Sequence, residues 1–492
     1  MSNKKKVILL NIFQYASSQY FSQFMGFFTA IFIRRFLGPL NMGIWGILKV
    51  VSDYASYNNL GSTSAIPYKL PVLKGQGKTD EVKKLTSVIF NFVTIVTFIC
   101  SIAIVVYALI FLRTLPREIF IGLLVVSVML LSQRVYTYYM MLLRANKDFG
   151  ILSKSVFFDA VTNLGLVLLI VSRFKLYGFY FVIIIMPVIN VWFIRKYVTY
   201  NLAFNFHVKG ILAYIKYGLP LFLTGMLDQI LYSIDRIMIV SMLGLEQLGF
   251  YSIALMTRNY GTGLSKNFSI VIQPHFMEDF GKNGIEKSCE YVIRYCEVSA
   301  YFMSIVLSIV FIIAYPFVYF VLPSFLPGVT AMKIFLLATF FLTLSPYPNN
   351  FLVAVEKQSR LIPITVMSIL INVVFNYLFI RKGYGINGVS AATAISACVS
   401  FFVVSIYALS HTQNLSGIIK YFSKVFFPLV YCLLCLWGIH IWIRHPNQVW
   451  EALIGSFLFI ALTAPLVIYI NKKTTIINVL FEIVLKKIKN RK

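Results

Sequence analysis

The chain has 492 residues, of which 59% are hydrophobic and only 12% charged. A soluble globular protein is about 25% charged and roughly 45–50% apolar, so this composition excludes a soluble globule. The surplus of Leu, Ile, Val and Phe excludes a disordered chain as well. Lys and Arg number 44 against 17 Asp and Glu, a net charge of +27. These bases sit at the ends of apolar segments rather than in one globular patch. They therefore report membrane topology, and no nucleic-acid partner is expected.

Lys4, Lys5 and Lys6 precede a long apolar stretch that ends in no small-residue cleavage site. It reads as a first transmembrane helix and not as a removed signal. A spanning helix takes about 20 apolar residues. On that basis the sequence predicts helices over 8–33, 42–67, 86–112, 119–143, 151–172, 177–199, 212–242, 248–274, 289–321, 329–352, 361–381, 387–410, 421–443 and 449–471. The expectation is an all-α integral membrane protein of about fourteen transmembrane helices. Polar links are expected at 68–85, 200–210 and 276–288, none long enough for a soluble domain.

Polar residues inside these helices carry the functional signal. A charge at the bilayer centre costs about 2.5–3.5 kcal/mol, so each needs a partner or a watery cavity. The first helix places Asn11, Tyr15, Ser18 and Ser22 on one stripe, with Gln14, Gln19 and Gln23 nearby. Such a helix either bonds to buried neighbours or walls a cavity that offers donors and acceptors to sugar hydroxyls. Helix 2 has Lys49 and Asp53 one turn apart, close enough to pair. Helix 4 has Arg134, and helix 5 has Asp159 with Asn163 at the same spacing. Helix 7 sets Asp228, Tyr232, Asp235 and Ile239 on one face, with Gln229, Ser233 and Arg236 beside it. Helix 8 adds Arg258 and Lys266, on roughly one face. Arg34 and Arg35 are read as interfacial, at the outer end of helix 1. Small residues at Ser390, Ala394 and Cys398, and at Ala392, Ser396 and Ser400, mark helix 12 for close packing.

Charge orients the chain. With the amino terminus inside, the Lys- and Arg-rich ends and links fall on one side, and both termini are expected in the cytoplasm. In the tail 472–492, Ile477, Leu480, Val484 and Ile488 form an apolar stripe flanked by lysines. It reads as a basic amphipathic helix on the cytoplasmic leaflet, the alternative being a solvated tail.

Residues 31–45, IFIRRFLGPLNMGIW, return as IMIVSMLGLEQLGFY at 237–251. Ile31, Ile33, Leu37, Gly38 and Gly43 match Ile237, Ile239, Leu243, Gly244 and Gly249. Two glycines in a short link suit a tight helix–helix turn, one of them ending the first helix in a left-handed conformation. Tyr177-Gly178 and Asn387-Gly388 give a second echo. The unit is six helices, an even number, so the two copies run parallel about a central cavity. The expected divisions are 1–205 (helices 1–6), 206–415 (helices 7–12), 416–471 (two further helices) and the tail 472–492. Duplicated halves around a cavity suit an alternating-access transporter.

Catalytic patterns are missing from the chain. It contains no HExxH, no DxD and no glycine-rich nucleotide loop, and His207, His275, His411, His440 and His445 are scattered. Cys432 and Cys435 form a CxxC without a second pair, so neither a zinc site nor a disulfide framework is expected. The reading is a non-enzyme without metal or cofactor.

The glycine link at 37–45, the stretch Asn59-Leu60-Gly61-Ser62, and Ser233-Ile234-Asp235-Arg236 through Tyr251 resemble the polysaccharide-biosynthesis exporters. These are the Wzx-type repeat-unit flippases of O-antigen and capsule, in one superfamily with lipid II flippases and MATE exporters. The resemblance spans helices 1 to 12. It implies a substrate of polyprenyl-pyrophosphate-linked oligosaccharide, of the undecaprenyl type, moved across the bacterial inner membrane. It also implies association with membrane lipids and with polysaccharide polymerase machinery. Arg236, Arg258, Lys49, Lys266 and Arg134 would bind the anionic pyrophosphate. Asp228, Asp235, Asp53 and Asp159 would act as charge partners or ion-coupling groups. One departure is that Thr29-Ala30 stands where helix 7 has its Asp-Arg pair. The alternatives are structural ion pairs at these positions and, for the whole chain, a MATE-like cation-coupled exporter.

Overall fold

In a bilayer, backbone amides must bond within their own segment, so an apolar chain of this kind folds as helices. The computed structural model describes residues 3–198, 210–355, 357–410, 412–442 and 448–474. Their regular structure is entirely helical, with no strand among the described residues. Nine helical stretches among them are long and apolar enough to cross a membrane, from Thr79–Ile110 to Trp450–Ile468. This is an all-α multi-pass membrane fold. It consists of two compact units, residues 1–252 and 253–492.

In the first unit, α1 (Asn3–Ser56) holds both of the first two expected helices, divided by a break at Gly38. Gly38 has φ 72 and ψ 175, a region open essentially to glycine alone, and Pro39 starts the next segment. The second copy of the repeat does the same. Gly244 closes α7 (Ile211–Leu243) with φ 94 and ψ 173. Two matched sequences thus make one matched backbone turn.

After α1, Leu60 and Gly61 turn the chain left-handed into α2 (Ala65–Gly75), and α3 (Thr79–Ile110) follows after Gly77. The expected polar link at 68–85 is therefore mostly helix. Burial explains why, since Leu70 of the link, with Ala65 and Ile66 just before it, packs in one cluster with Leu85, Ile89 and Tyr138. Next come α4 (Arg117–Ala145) and α5 (Phe149–Leu166). A π-helical turn at Val167–Val171 leads into α6 (Ser172–Arg195), where Lys175 breaks the helix at φ 47. Helices α1 and α5 pack together, as do α3 with α4 and α4 with α6.

Helix α8 (Leu245–Val321) continues into the second unit. The link expected at 276–288 is helical, so predicted helices 8 and 9 are one element. No proline follows Pro274 there, and Glu278, Lys282, Glu286 and Lys287 are residue types that favour helix. Next are α9 (Val329–Leu344), α10 (Pro346–Ala354), α11 (Leu361–Arg381), α12 (Gly385–Leu409), α13 (Leu415–Trp442) and α14 (Gln448–Thr474). Phe340, Phe341, Phe351 and Phe401 anchor the core of this unit, and Tyr421 bonds Cys296 at 3.1 Å. The small-residue rows of α12 are buried as expected at Ser390, Ala392, Ala394 and Ser396. That lets α9 and α11 pack close on it, and Asn372 of α11 reaches Thr393 and Ser396 at 3.4 Å each. All six cysteines are free. The amphipathic helix expected in the tail lies outside the described residues beyond 474.

Candidate functional site

A cavity of about 710 Å³ opens inside the first unit. That size suits a small molecule or the head of a larger one, for which about 300–1,000 Å³ is usual. Past the break at Gly38, α1 lines it with Trp45, Lys49 and Asp53. Helix α4 supplies Gln133 and Arg134, α5 supplies Asp159 and Asn163, and α6 supplies Asn190. Five residues singled out in the sequence thus meet in one chamber: Lys49, Asp53, Arg134, Asp159 and Asn163.

The predicted Lys49–Asp53 pair forms, with Nζ donating to Oδ1 at 2.5 Å. Its side chains are 46% and 23% exposed, so it adds little to stability. Asp53 also faces Arg236, Nη1 to Oδ2 being 3.8 Å. One carboxylate therefore serves two bases, on α1 and on α7. Arg134 is held more firmly. Its Nε donates to Thr97 Oγ1 at 3.1 Å, and its Nη2 to Asn58 Oδ1 at 2.5 Å and Ser56 O at 3.4 Å. Those bonds tie α4 to α3 and to the turn after α1, and they fix a planar guanidinium at the cavity wall. Asp159 accepts a hydrogen bond from Asn190 Nδ2 at 2.5 Å. Asn163, its expected neighbour, lines the same chamber.

Helix α7 is graded. Asp228 and Tyr232 are exposed, whereas Ser233, Asp235 and Ile239 are buried. Asp235 accepts a hydrogen bond from Tyr251 at 3.0 Å, and Ser233 bonds Tyr54 at 2.8 Å. Arg236 turns toward Asp53. In the second unit Arg258 is buried on α8. The side chain of Lys266 lies outside the described ones.

Arg34 departs from its interfacial reading. It is buried, with Nη1 donating to Ala30 O at 2.9 Å and Nη2 to Ser252 O at 3.0 Å. Only Arg35 is exposed. Two adjacent arginines after an apolar run look alike in sequence, and the choice between them is made by the carbonyl that α8 presents. Asn58, Thr97 and Asn190 were also passed over. Each is a neutral polar residue in an apolar helix or turn, and its partner lies far along the chain.

Chemically, the chamber offers an ammonium, a guanidinium, two carboxylates, several amides and the Trp45 ring. Arginine binds phosphate through paired, charge-assisted hydrogen bonds, and amides suit sugar hydroxyls. Among the described residues, no cluster of His, Cys, Asp and Glu is arranged to hold a metal ion.

A family model described as polysaccharide biosynthesis protein matches residues 32–325. No curated protein matches the sequence. Among solved structures, the fold is similar to lipid II flippase MurJ in an inward closed conformation. The TM-score is 0.68 at 15% identity, covering 92% of this chain and 98% of that one. An inward-facing multidrug resistance MATE family transporter of the MOP superfamily gives a TM-score of 0.61 at 14% identity, over 81% and 96% of the two chains. A MOP superfamily transporter from Pyrococcus furiosus gives 0.54 at 16% identity, over 84% and 96%. At such identities the likeness is one of fold.

Proposed function

Since this chain belongs to the polysaccharide biosynthesis protein family, we propose that it is a flippase for a polyprenyl-pyrophosphate-linked oligosaccharide. The lipid is of the undecaprenyl type, and the glycan is an O-antigen or capsule repeat unit. It is carried by alternating access from the cytoplasmic to the outer leaflet of the bacterial inner membrane. Both termini lie in the cytoplasm, and polymerase machinery takes up the product. The protein makes and breaks no covalent bond, so it is a transporter and not an enzyme.

One observation carries this reading: Lys49 and Arg134, both within membrane helices, line one chamber. An anion crossing the low-dielectric midplane needs such groups. Asp53 neutralises Lys49 and lies near Arg236. An entering pyrophosphate takes over those bases, and its rigid anchor is Arg134. Amides at Gln133, Asn163 and Asn190 face the sugar hydroxyls. Arg258 and Lys266 on α8 are assigned further contacts with the anion, and Asp228 and Asp235 the role of charge partners.

The test is deletion of the gene in its native host, scored for surface polymer and for lipid-linked repeat units trapped on the cytoplasmic leaflet. Loss of polymer with trapped intermediates supports the flippase, and Arg134→Ala and Arg236→Ala should then fail to complement. Normal polymer overturns it.

A second reading, a MATE-like cation-coupled exporter, is favoured by the carboxylates Asp53 and Asp159 in the same chamber. It expects the deletion to raise sensitivity to cationic dyes and Asp159→Asn to reproduce that phenotype. The flippase reading expects unchanged dye sensitivity.

A further inference from the structure

The second unit holds a pocket of about 480 Å³ that shares no lining residue with the chamber above. Helix α13 lines it with Lys420, Ser423, Lys424, Phe427 and Tyr431, α14 with Pro465 and Leu466, and α8 with Glu297 and Tyr301. Lys420 and Lys424 stand one turn apart, and neither makes an ion pair or a hydrogen bond among the described residues. Like charges at this spacing repel, so the pair does not stabilise the helix by itself.

Their depth in the membrane follows from α13 itself. Trp442 is 89% exposed at its far end and Trp437 is 66% exposed, the placement of an aromatic belt at one interface. A rise of about 1.5 Å per residue sets Lys424 about 27 Å and Lys420 about 33 Å from Trp442. The hydrocarbon core is about 30 Å thick, so the two lysines stand at the opposite headgroup level. Between the two interfaces, α13 exposes Phe427, Val430, Leu433 and Leu434, a wall for acyl chains. The pocket is thus cationic at headgroup depth and apolar below it. With Glu297 counted against the two lysines, its net charge is that of one cation.

We propose that this pocket holds an anionic glycerophospholipid as a resident lipid, one that is not transported. Its phosphodiester lies between Lys420 and Lys424, beside Ser423, whose hydroxyl donates to the Ile419 carbonyl at 2.9 Å, and its acyl chains run along Phe427 and Leu466. A single negative charge matches the pocket. A zwitterionic head brings no net charge and a bulkier cation.

The experiment uses the purified full chain in detergent and native mass spectrometry with short-chain phosphatidylglycerol, phosphatidylethanolamine and phosphatidylcholine. The expected result is selective retention of phosphatidylglycerol by the wild type. Lys420→Gln/Lys424→Gln should bind it roughly thirtyfold more weakly, as two lysines near an anionic surface predict. Lys83→Gln/Lys84→Gln, which removes two exposed lysines elsewhere, should bind as wild type does. Equal retention of all three lipids overturns the proposal, as does undiminished binding by the Lys420/Lys424 variant. Displacement by millimolar inorganic phosphate would make this a site for soluble phosphate. Displacement by a polyprenyl pyrophosphate would make it part of the transport route. Either result removes the resident lipid and leaves the flippase reading to its own test.

Discussion

Gly249 on α8 packs so closely on Pro39 of α1 that a methyl group at Gly249 would stand 1.9 Å from the Pro39 carbonyl oxygen. The contact is reciprocal, for a methyl at Gly43 would stand 1.8 Å from the carbonyl oxygen of Leu245. Gly43 and Gly249 are matched positions of the internal repeat. The two copies therefore meet backbone to backbone, each just past its own glycine break at Gly38 or Gly244. A second such approach lies between Gly61 and Gly218, where a methyl on Gly218 would sit 1.9 Å from the Gly61 carbonyl oxygen.

Alanine at Gly43 or Gly249 would have to push a main-chain carbonyl aside, and no side chain there can yield. Gly43→Ala and Gly249→Ala should each abolish complementation of a deletion strain. Gly75→Ala should complement fully, because nothing lies within 4 Å of the added methyl and alanine is the better helix former. Full activity of both Gly43→Ala and Gly249→Ala would mean that the two links need not touch during transport.

The Lys49–Asp53 pair separates stability from function. Its exposure keeps the pair's contribution below about 1 kcal/mol, so Lys49→Ala should leave the melting temperature nearly unchanged. Transport should fall sharply if the ammonium meets the substrate's phosphates. Asp53→Asn removes the counter-ion of Lys49 and a carboxylate 3.8 Å from Arg236, so it should bind an anionic substrate more tightly and release it more slowly. A large loss of stability in Lys49→Ala, with transport per folded molecule intact, would make the pair structural.

Arg134 should respond differently. Its bonds to Thr97, Asn58 and Ser56 are lost together in Arg134→Ala. Thr97 keeps the hydrogen bond from Asn58 Nδ2 at 3.0 Å, so the loss is that of the charged donor's own bonds, on the order of 1.5–3 kcal/mol. Arg134→Lys keeps the charge but has no planar fork, so it cannot reach Thr97 and Asn58 at once. Lysine should therefore rescue neither thermal stability in detergent nor complementation. Rescue of transport by lysine would show that charge alone matters at this wall.

What could be read beforehand follows sequence distance. Lys49 and Asp53 were legible because one helical turn joins them. The small-residue rows of α12 and the repeat about Gly38 and Gly244 were legible because they are local patterns. The bonds that shape the chamber, Arg134 to Thr97 and Asp159 to Asn190, cross between helices and leave no periodic trace. Arg34 was misread for the same reason, since its partner Ser252 lies on another element. The link at 276–288 was misread because charged residues end a membrane span and continue a solvated helix equally well.

The driving force offers a last discrimination. A bacterial cytoplasm is electrically negative, and moving one elementary charge across 100 mV is worth about 2.3 kcal/mol. A pyrophosphate carried outward moves downhill in that field. Collapsing the membrane potential while holding the pH gradient should therefore slow transport in reconstituted vesicles, and an imposed potential, negative on the cytoplasmic face, should restore it without added sodium or protons. Flux that follows the pH or sodium gradient instead, and ignores the potential, would shift the coupling to Asp53 or Asp159. Then Asp159→Asn, which keeps a side chain able to meet Asn190, would uncouple transport without unfolding the protein.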